Sequence, residues 1–310
     1  MDGTVLRTFL EIIETGSLIG AARRLNVTQS TITARINSLE REIGQKLIHR
    51  NKSGTELTSA GFKLKRYAEV MLQLWRQARF ETSLPKGFVN VCNLGCEFDL
   101  WPDIGTRLLD YLAIHTPDVA VAVWPGDQRQ LDRWLNIGLV DVALCYAPQP
   151  GSNFATSILF DDDLILVERA EGRPAAARNG ATRSGYIYVD HGDEFRRQHA
   201  VAFPGDETPA VTIAASEWAL DHILRRGGSG YLPMRHARKS LAAGSLRKTR
   251  DAPRFKRRIY VVANTQATAR WDWFEVAIAN LRQGAVAGGA AKNGNLKGRG
   301  KAKSRKSGLS

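Results

Sequence analysis

Cysteine is scarce: three residues in 310, Cys92, Cys96 and Cys145. A sparse, odd count builds no disulfide framework and makes a reducing cytoplasm the expected address. Long hydrophobic runs are missing too. No stretch approaches the ~18 apolar residues that a spanning helix needs. No apolar segment with a small-residue cleavage site precedes the first helical pattern, so a secretory signal is not expected. Metal-ligand spacing is absent: His191 and His199 stand eight apart in a polar stretch that reads as a solvated loop. No Ser/His/Asp or Cys/His arrangement has the spacing of a known catalytic motif, so the chain is not expected to be an enzyme. Gly227-Gly228-Ser229-Gly230 lacks the Lys-Ser/Thr of a phosphate loop and follows a helix, so it reads as a helix C-cap and turn.

What is abundant is positive charge, +13 overall. Such an excess suggests a polyanionic partner, nucleic acid or an acidic membrane. Residues 1–86 hold 14 Lys/Arg against 8 Asp/Glu, residues 87–283 hold 23 of each, and residues 284–310 hold 7 against none. A basic head and a basic tail thus flank a neutral middle. That layout suits a phosphate-binding head with a ligand- or partner-binding body.

The head reads as helices. Leu6, Phe9, Leu10 and Ile13 recur at helical spacing. Thr15-Gly16-Ser17 ends that helix, and Ser17 caps a second over about 18–25, where Ala21-Ala22 permits close approach. Thr28 caps a third helix to about Ile43, with Ile32, Ile36, Leu39 and Ile43 inward and Gly44 as C-cap. Residues 46–50 and 56–58 around Asn51-Lys52-Ser53-Gly54 read as a β-hairpin with a basic, polar tip. A long helix over about 59–82 is apolar on too wide a surface for a lone solvated helix and reads as a dimerisation helix. Pro85-Lys86-Gly87 is a hinge.

In a helix-turn-helix the second helix of the pair enters the major groove and needs hydrogen-bonding side chains on its exposed face. Gln29, Ser30, Thr31, Thr33 and Arg35 meet that need, with Ser17 and Thr28 at helix N-termini suited to phosphate. Arg50 and Lys52 of the hairpin would reach adjacent phosphates. These nine residues are the expected DNA contacts.

The middle alternates strand and helix: 88–94, 100–114, 119–124, 128–137 and 140–146, then 164–168, 186–189, 211–213, 217–226 and 230–232. This predicts two α/β lobes on parallel sheets with a cleft between them. A late strand over 259–263 and a helix over 271–281 should return to the first lobe. Residues 284–310, rich in Gly, Ala and Lys, should be disordered. They would either add non-specific DNA affinity or form a solvated end.

Leu6-Arg7-Thr8-Phe9-Leu10-Glu11, Thr15-Gly16-Ser17, Ala21-Ala22-Arg23-Arg24-Leu25-Asn26-Val27-Thr28-Gln29-Ser30, Leu39-Glu40, Ile43-Gly44, Leu47, Arg50 and Leu57-Thr58-Ser59-Ala60-Gly61 resemble the LysR-type transcriptional regulator pattern. Leu220 and the stretch 227–233 resemble the family's helix–glycine–strand segment. Leu100-Trp101, Val189-Asp190-His191-Gly192 and Phe195 are similar to its HdfR-like branch. Two departures stand out: Ile48 occupies a position usually held by Phe, and Glu56 with Ser53 makes the wing less basic.

The resemblance implies an α/β chain of four parts. These are a winged helix-turn-helix over 1–58, a linker helix and hinge over 59–86, a two-lobed periplasmic-binding-protein-like effector domain over 87–283, and the tail over 284–310. It also implies a homodimer or homotetramer on promoter DNA, no cofactor, no membrane, and an effect on promoter occupancy or RNA polymerase contact. An effector cleft would involve Cys96, Glu97, Phe98 and Asp99, with Asp190, Phe195 and Ser216. The family often offers a small-molecule carboxylate a hydroxyl and a helix N-terminus in the loop after the first strand. Here Asp99 stands as an N-cap before Leu100-Trp101-Pro102, with Glu97 beside it. A simple carboxylate is therefore not the expected effector. Cys92 and Cys96 have no neighbouring Lys or Arg and are expected to pack rather than sense oxidants. Two other readings remain: an enzyme on the α/β lobes, and a sequence-blind DNA-coating protein driven by the tail.

Overall fold

The computed structural model describes residues 3–51, 54–148, 151, 153–170, 185–204 and 209–290. They fall into two compact units, divided between Val91 and Cys92.

The first unit opens with α1 (Gly3–Thr15), α2 (Leu18–Arg24) and α3 (Gln29–Ile43). Local chemistry sets their ends. Ser17 Oγ accepts from the Gly20 amide, Thr28 Oγ1 accepts from the Thr31 amide, and Gly44 takes a left-handed φ of 76° after α3. The expected stripes are largely inward: Leu6, Phe9, Ile32, Ile36 and Leu39 are buried with Ala21 and Ala22. Two assignments shift. Ile12 takes the core position in α1 while Leu10 and Ile13 are half-buried, and Ile43 is 40% exposed because α3 ends there.

Strands β1 (Ile48–Asn51) and β2 (Gly54–Leu57) pair antiparallel, and α4 (Ser59–Thr82) follows, capped by Thr58. Ala68 and Leu72 fix α4 to the head core, whereas Phe62, Tyr67, Trp75 and Phe80 are exposed on this protomer. A Cβ on Gly61 would stand 2.0 Å from the Leu47 carbonyl oxygen, so only glycine lets α4 start this close to the hairpin.

The second unit runs β3 (Asn90–Cys96), α5 (Thr106–His115), β4 (Val119–Pro125), α6 (Gln128–Asn136), β5 (Val142–Cys145) and β6 (Phe154–Arg169). It continues with β7 (Ile187–Val189), α7 (Asp193–Ala202), β8 (Val211–Ile213), α8 (Ser216–Arg226), β9 (Ser229–Pro233) and α9 (Met234–Ala242). It closes with β10 (Leu246–Lys248), β11 (Phe255–Asn264), α10 (Thr265–Thr268) and α11 (Phe274–Ala290). Seven strands form one sheet, in the order β10-β6-β11-β5-β3-β4 with β9 on β6. The expectation of parallel sheets needs correction. β3–β5 and β7–β8 are parallel, but β6 runs antiparallel to β11, β9 and β10.

The reason is that β6 and β11 are long enough to serve both lobes. Residues 154–158 of β6 lie beside 260–264 of β11 in the first lobe, and 164–168 of β6 carry β9 in the second. As expected, β11 and α11 return to the first lobe, where Val261, Trp271, Phe274 and Ile278 share a core with Leu94, Leu108 and Leu144. The second lobe packs Ile165, Val167, Ile187, Ile223 and Leu232.

The α11 backbone runs to Ala290, past the expected boundary at 283. Extending an anchored helix needs no new nucleus. Residues 291–310, the rest of the expected disordered tail, lie outside the described residues.

Candidate nucleic-acid interface and ligand cleft

Thr28, Gln29 and Ser30 are exposed at the N-terminus of α3, and Thr31 and Thr33 are half-buried. The Thr28 hydroxyl lies 2.8 Å from those of Ser30 and Thr31, a cluster at the positive end of a 15-residue helix. At 100° per residue, Ser30, Ala34, Asn37 and Arg41 share one side of α3, with Thr33 at its margin. Ala34, Asn37 and Arg41 are exposed there and were not singled out from the sequence. The same helical period would have found them.

Arg35 does not join that face. It borders the buried stripe, and its Nη1 donates to Thr8 Oγ1 of α1 at 3.3 Å. Ser17 is half-buried and its hydroxyl is engaged in capping α2.

The hairpin is tied to the helices at two points. The Thr55 amide donates to the Gly16 carbonyl at 2.9 Å, in the turn between α1 and α2. Glu40 of α3 accepts from the Leu47 and Ile48 amides through Oε1 and from Lys46 Nζ through Oε2 at 2.6 Å. Burial tends to raise this carboxyl's pKa, but the Lys46 ammonium and the two amides outweigh it and hold it below the ordinary range. Arg50 is exposed on β1, and Glu56 accepts from Asn51 Nδ2. Lys52 lies outside the described residues.

In the second unit the two lobes meet through Asp99. It does not cap the turn that follows it, which is 3₁₀ over Phe98–Leu100 and π-like over Trp101–Gly105 with no side-chain cap. Instead its carboxylate accepts from the Ser216 amide at 2.9 Å and the Ser216 hydroxyl at 2.5 Å, at the N-terminus of α8 in the other lobe. The Asp99 carbonyl accepts from Arg235 Nη2 at 2.6 Å and from His236 Nε2 at 3.0 Å. Arg235 also donates to Asp162 at 2.9 Å and to the Tyr146 hydroxyl at 2.8 Å.

Arg257 stacks over the Tyr146 ring, its guanidinium carbon 3.1 Å from the centroid. Its Nη groups lie about 4 Å from Glu97 and Asp99, while Nε and Nη1 are buried without a hydrogen-bond partner. Burial pushes the Glu97 carboxyl up, against Arg257 and the Tyr146 amide, which it accepts at 2.9 Å. Arg235, His236, Arg257 and Tyr146 are cleft residues that the sequence reading did not name.

The remaining cleft expectations separate. Cys96 is buried, and burial, reinforced by Glu97, pushes its thiol up to about 12. Burial raises Cys92 and Cys145 as well, and all three cysteines are buried and unpaired with one another. Phe98 is 63% exposed. Asp190 is engaged with the Gly192 amide and Arg196. Phe195 is core, packed among His191, His199, Tyr231 and Phe255. The two histidines are therefore not on a solvated loop. His191 Nε2 donates to the Tyr231 carbonyl at 2.8 Å, and His199 of α7 lies 2.9 Å from the Tyr186 hydroxyl. Among the described residues no cluster of His, Cys, Asp or Glu is placed to hold a metal ion, and no helix is long and apolar enough to cross a membrane.

These two units match known families. Residues 4–62 match the bacterial regulatory helix-turn-helix protein, lysR family, and residues 89–275 match the LysR substrate binding domain. The chain is 27% identical over 266 residues to the HTH-type transcriptional regulator HdfR of Escherichia coli O45:K1, covering 84% of this chain and 91% of HdfR. In fold it is similar to CbnR, a LysR family transcriptional regulator. That likeness has a TM-score of 0.68 at 19% identity, over 92% of this chain and 99% of CbnR. It is also similar to full-length LysG from Corynebacterium glutamicum with bound effector Arg, with a TM-score of 0.52 at 18% identity, over 91% and 98% of the two chains. The matched families and relatives are regulators rather than enzymes. A capped recognition helix, a wing and a two-lobed α/β domain in this order, with both family matches, place this chain in the LysR family of DNA-binding transcriptional regulators.

Proposed function

We propose that this regulator acts in the cytoplasm as a homo-oligomer on promoter DNA, reading sequence with the exposed side of α3. The observation that carries this reading is the polar side itself. Ser30, Thr33 and Asn37 present hydroxyls and an amide along that side of a capped helix, Gln29 stands exposed beside it in the first turn, and Ala34 is small enough to let the backbone approach. Thr28 and Thr31 at the helix N-terminus suit a phosphate, Ser17 suits one at the start of α2, and Arg50 and Lys52 suit phosphates beside the wing. Phe62 and Phe80, about five turns apart on one side of α4, supply the apolar face for a second copy. Two heads related by a two-fold axis then require a two-fold-related pair of half-sites. Footprinting on the DNA upstream of the gene tests this: two protected half-sites support it, and uniform protection along the duplex refutes it.

The two-lobed domain senses a small molecule that is not a simple carboxylate. Asp99 supports this reading, because its own carboxylate already takes the Ser216 amide and hydroxyl at the N-terminus of α8. A ligand carboxylate would have to displace it beside Glu97. Calorimetry with mono- and dicarboxylates tests the point, and tight binding to the unaltered protein would refute it.

A further inference from the structure

We infer that the first unit carries a second phosphate-binding groove, separate from the reading side of α3 and the wing, that grips the DNA backbone beside the half-site. A cavity of about 530 Å³ opens where the start of α1, the middle of α3 and the later turns of α4 converge. Four arginines from three helices line it: Arg7, Arg35, Arg76 and Arg79. No carboxylate lines it among the described residues, and none of the four forms an ion pair there. Four guanidiniums around one cavity repel one another and favour an anion between them.

The helices explain the clustering. Arg79 continues the side of α4 that Ala68 and Leu72 turn toward the head, and Arg76 stands midway between Leu72 and Phe80; both line the cavity beside the start of α1. Gly3 and Thr4 bring the positive end of α1 to the same cavity.

Position selects the anion. Arg35 stands on the flank of α3, between its exposed polar side and its buried stripe. A helix about 10–12 Å across nearly fills a major groove about 12 Å wide, so the flank of a reading helix faces the phosphate wall. The groove on that flank is therefore suited to the phosphodiester backbone, with guanidiniums matching phosphate oxygens in pairs. It rests on the reading of α3 as the recognition helix, and adds phosphate contacts on α1 and α4.

The test measures binding of the full chain to its upstream duplex by fluorescence anisotropy across a series of salt concentrations. Each phosphate contact contributes about 0.9 to the slope of log affinity against log salt. Arg76→Gln with Arg79→Gln should lower the slope by about two and weaken native and shuffled duplexes by the same factor. Arg76→Lys with Arg79→Lys should keep the slope. Duplexes with neutral methylphosphonates flanking the half-site provide a check that does not depend on folding of the variants: they should lower the slope of the unaltered protein. An unchanged slope in the Gln variant with its oligomeric state intact, or indifference of the unaltered protein to every flanking methylphosphonate, overturns the groove. Failure of the α3 reading would show differently, as loss of preference for native over shuffled duplex in the unaltered protein.

Discussion

Asp99 and Ser216, 117 residues apart in the chain, are joined across the two lobes by two hydrogen bonds, from amide to Oδ1 at 2.9 Å and from hydroxyl to Oδ2 at 2.5 Å. The carboxylate thus caps α8, whose own N-cap position holds Ala215 and supplies no side-chain bond. A loop residue of one lobe does for the other what a ligand anion would do.

Replacing Asp99 by Ala should leave the Ser216 amide and hydroxyl unsatisfied and Arg257 without its nearer carboxylate. The expected cost is about 2–4 kcal/mol of effector-domain stability, read by denaturant unfolding. The emptied position should then take up acetate or formate at millimolar concentration, raising the melting temperature of the variant but not of the unaltered protein. A variant that acetate leaves unmoved would show that Asp99 is a cap and nothing more.

Glu40 anchors the wing. Glu40→Ala would strand the buried Leu47 amide and cost about 1–3 kcal/mol in the head. Lys46→Ala, which removes only an exposed partner, should cost under about 1 kcal/mol. Comparable losses in the two variants would refute this division of labour.

On α3, Gln29→Ala or Asn37→Ala should cost about 1–3 kcal/mol against the native half-site and relax preference at one or two base positions. Arg50→Ala should weaken all sequences evenly and reduce the salt slope by about one. Binding selections on randomised half-sites separate the two patterns, and a sequence-independent loss from Gln29→Ala would remove it from the reading side.

Burial, with a nearby arginine in each case, lowers His191 and His236 from 6.5 to about 4. Both are neutral in the fold, so their contribution is complete above pH 6.5. It is lost as the pH falls toward 4, because the unfolded chain binds protons that the fold refuses. The melting temperature should therefore fall between about pH 6.5 and 4, by roughly 5–10 °C more than in a His191→Gln, His236→Gln variant. Parallel profiles would contradict the assignment.

The head was legible because its signals are local. Thr28 sits one residue before α3 and Gly44 one after it, and Ile32, Ile36 and Leu39 repeat at helical spacing. The same spacing applied to Arg35 would have turned it toward Thr8. The cleft was less legible because its partners are distant in sequence. Glu97 and Asp99 stand out in the loop, but nothing near them announces Ser216, Arg235 or Arg257. The crossing strand β6 was hidden by Asp161-Asp162-Asp163, a polar run that looks like a turn. Asp162 is buried there only because Arg235 meets it. Helix α7 was missed for a related reason: only Phe195 and His199 are buried along it, its first turns are otherwise polar, and Val201 near its end is exposed, so no apolar stripe repeats at helical spacing.

The most direct measurement compares binding of the full chain to the duplex upstream of its own gene with binding to a shuffled duplex of equal length, at about 0.15 M salt, where non-specific affinity is weak. The account predicts a preference of about a thousandfold or more for the native duplex, abolished when Gln29, Ser30 and Asn37 are replaced together by Ala. Equal affinity for both duplexes, unchanged by that triple replacement, would contradict it.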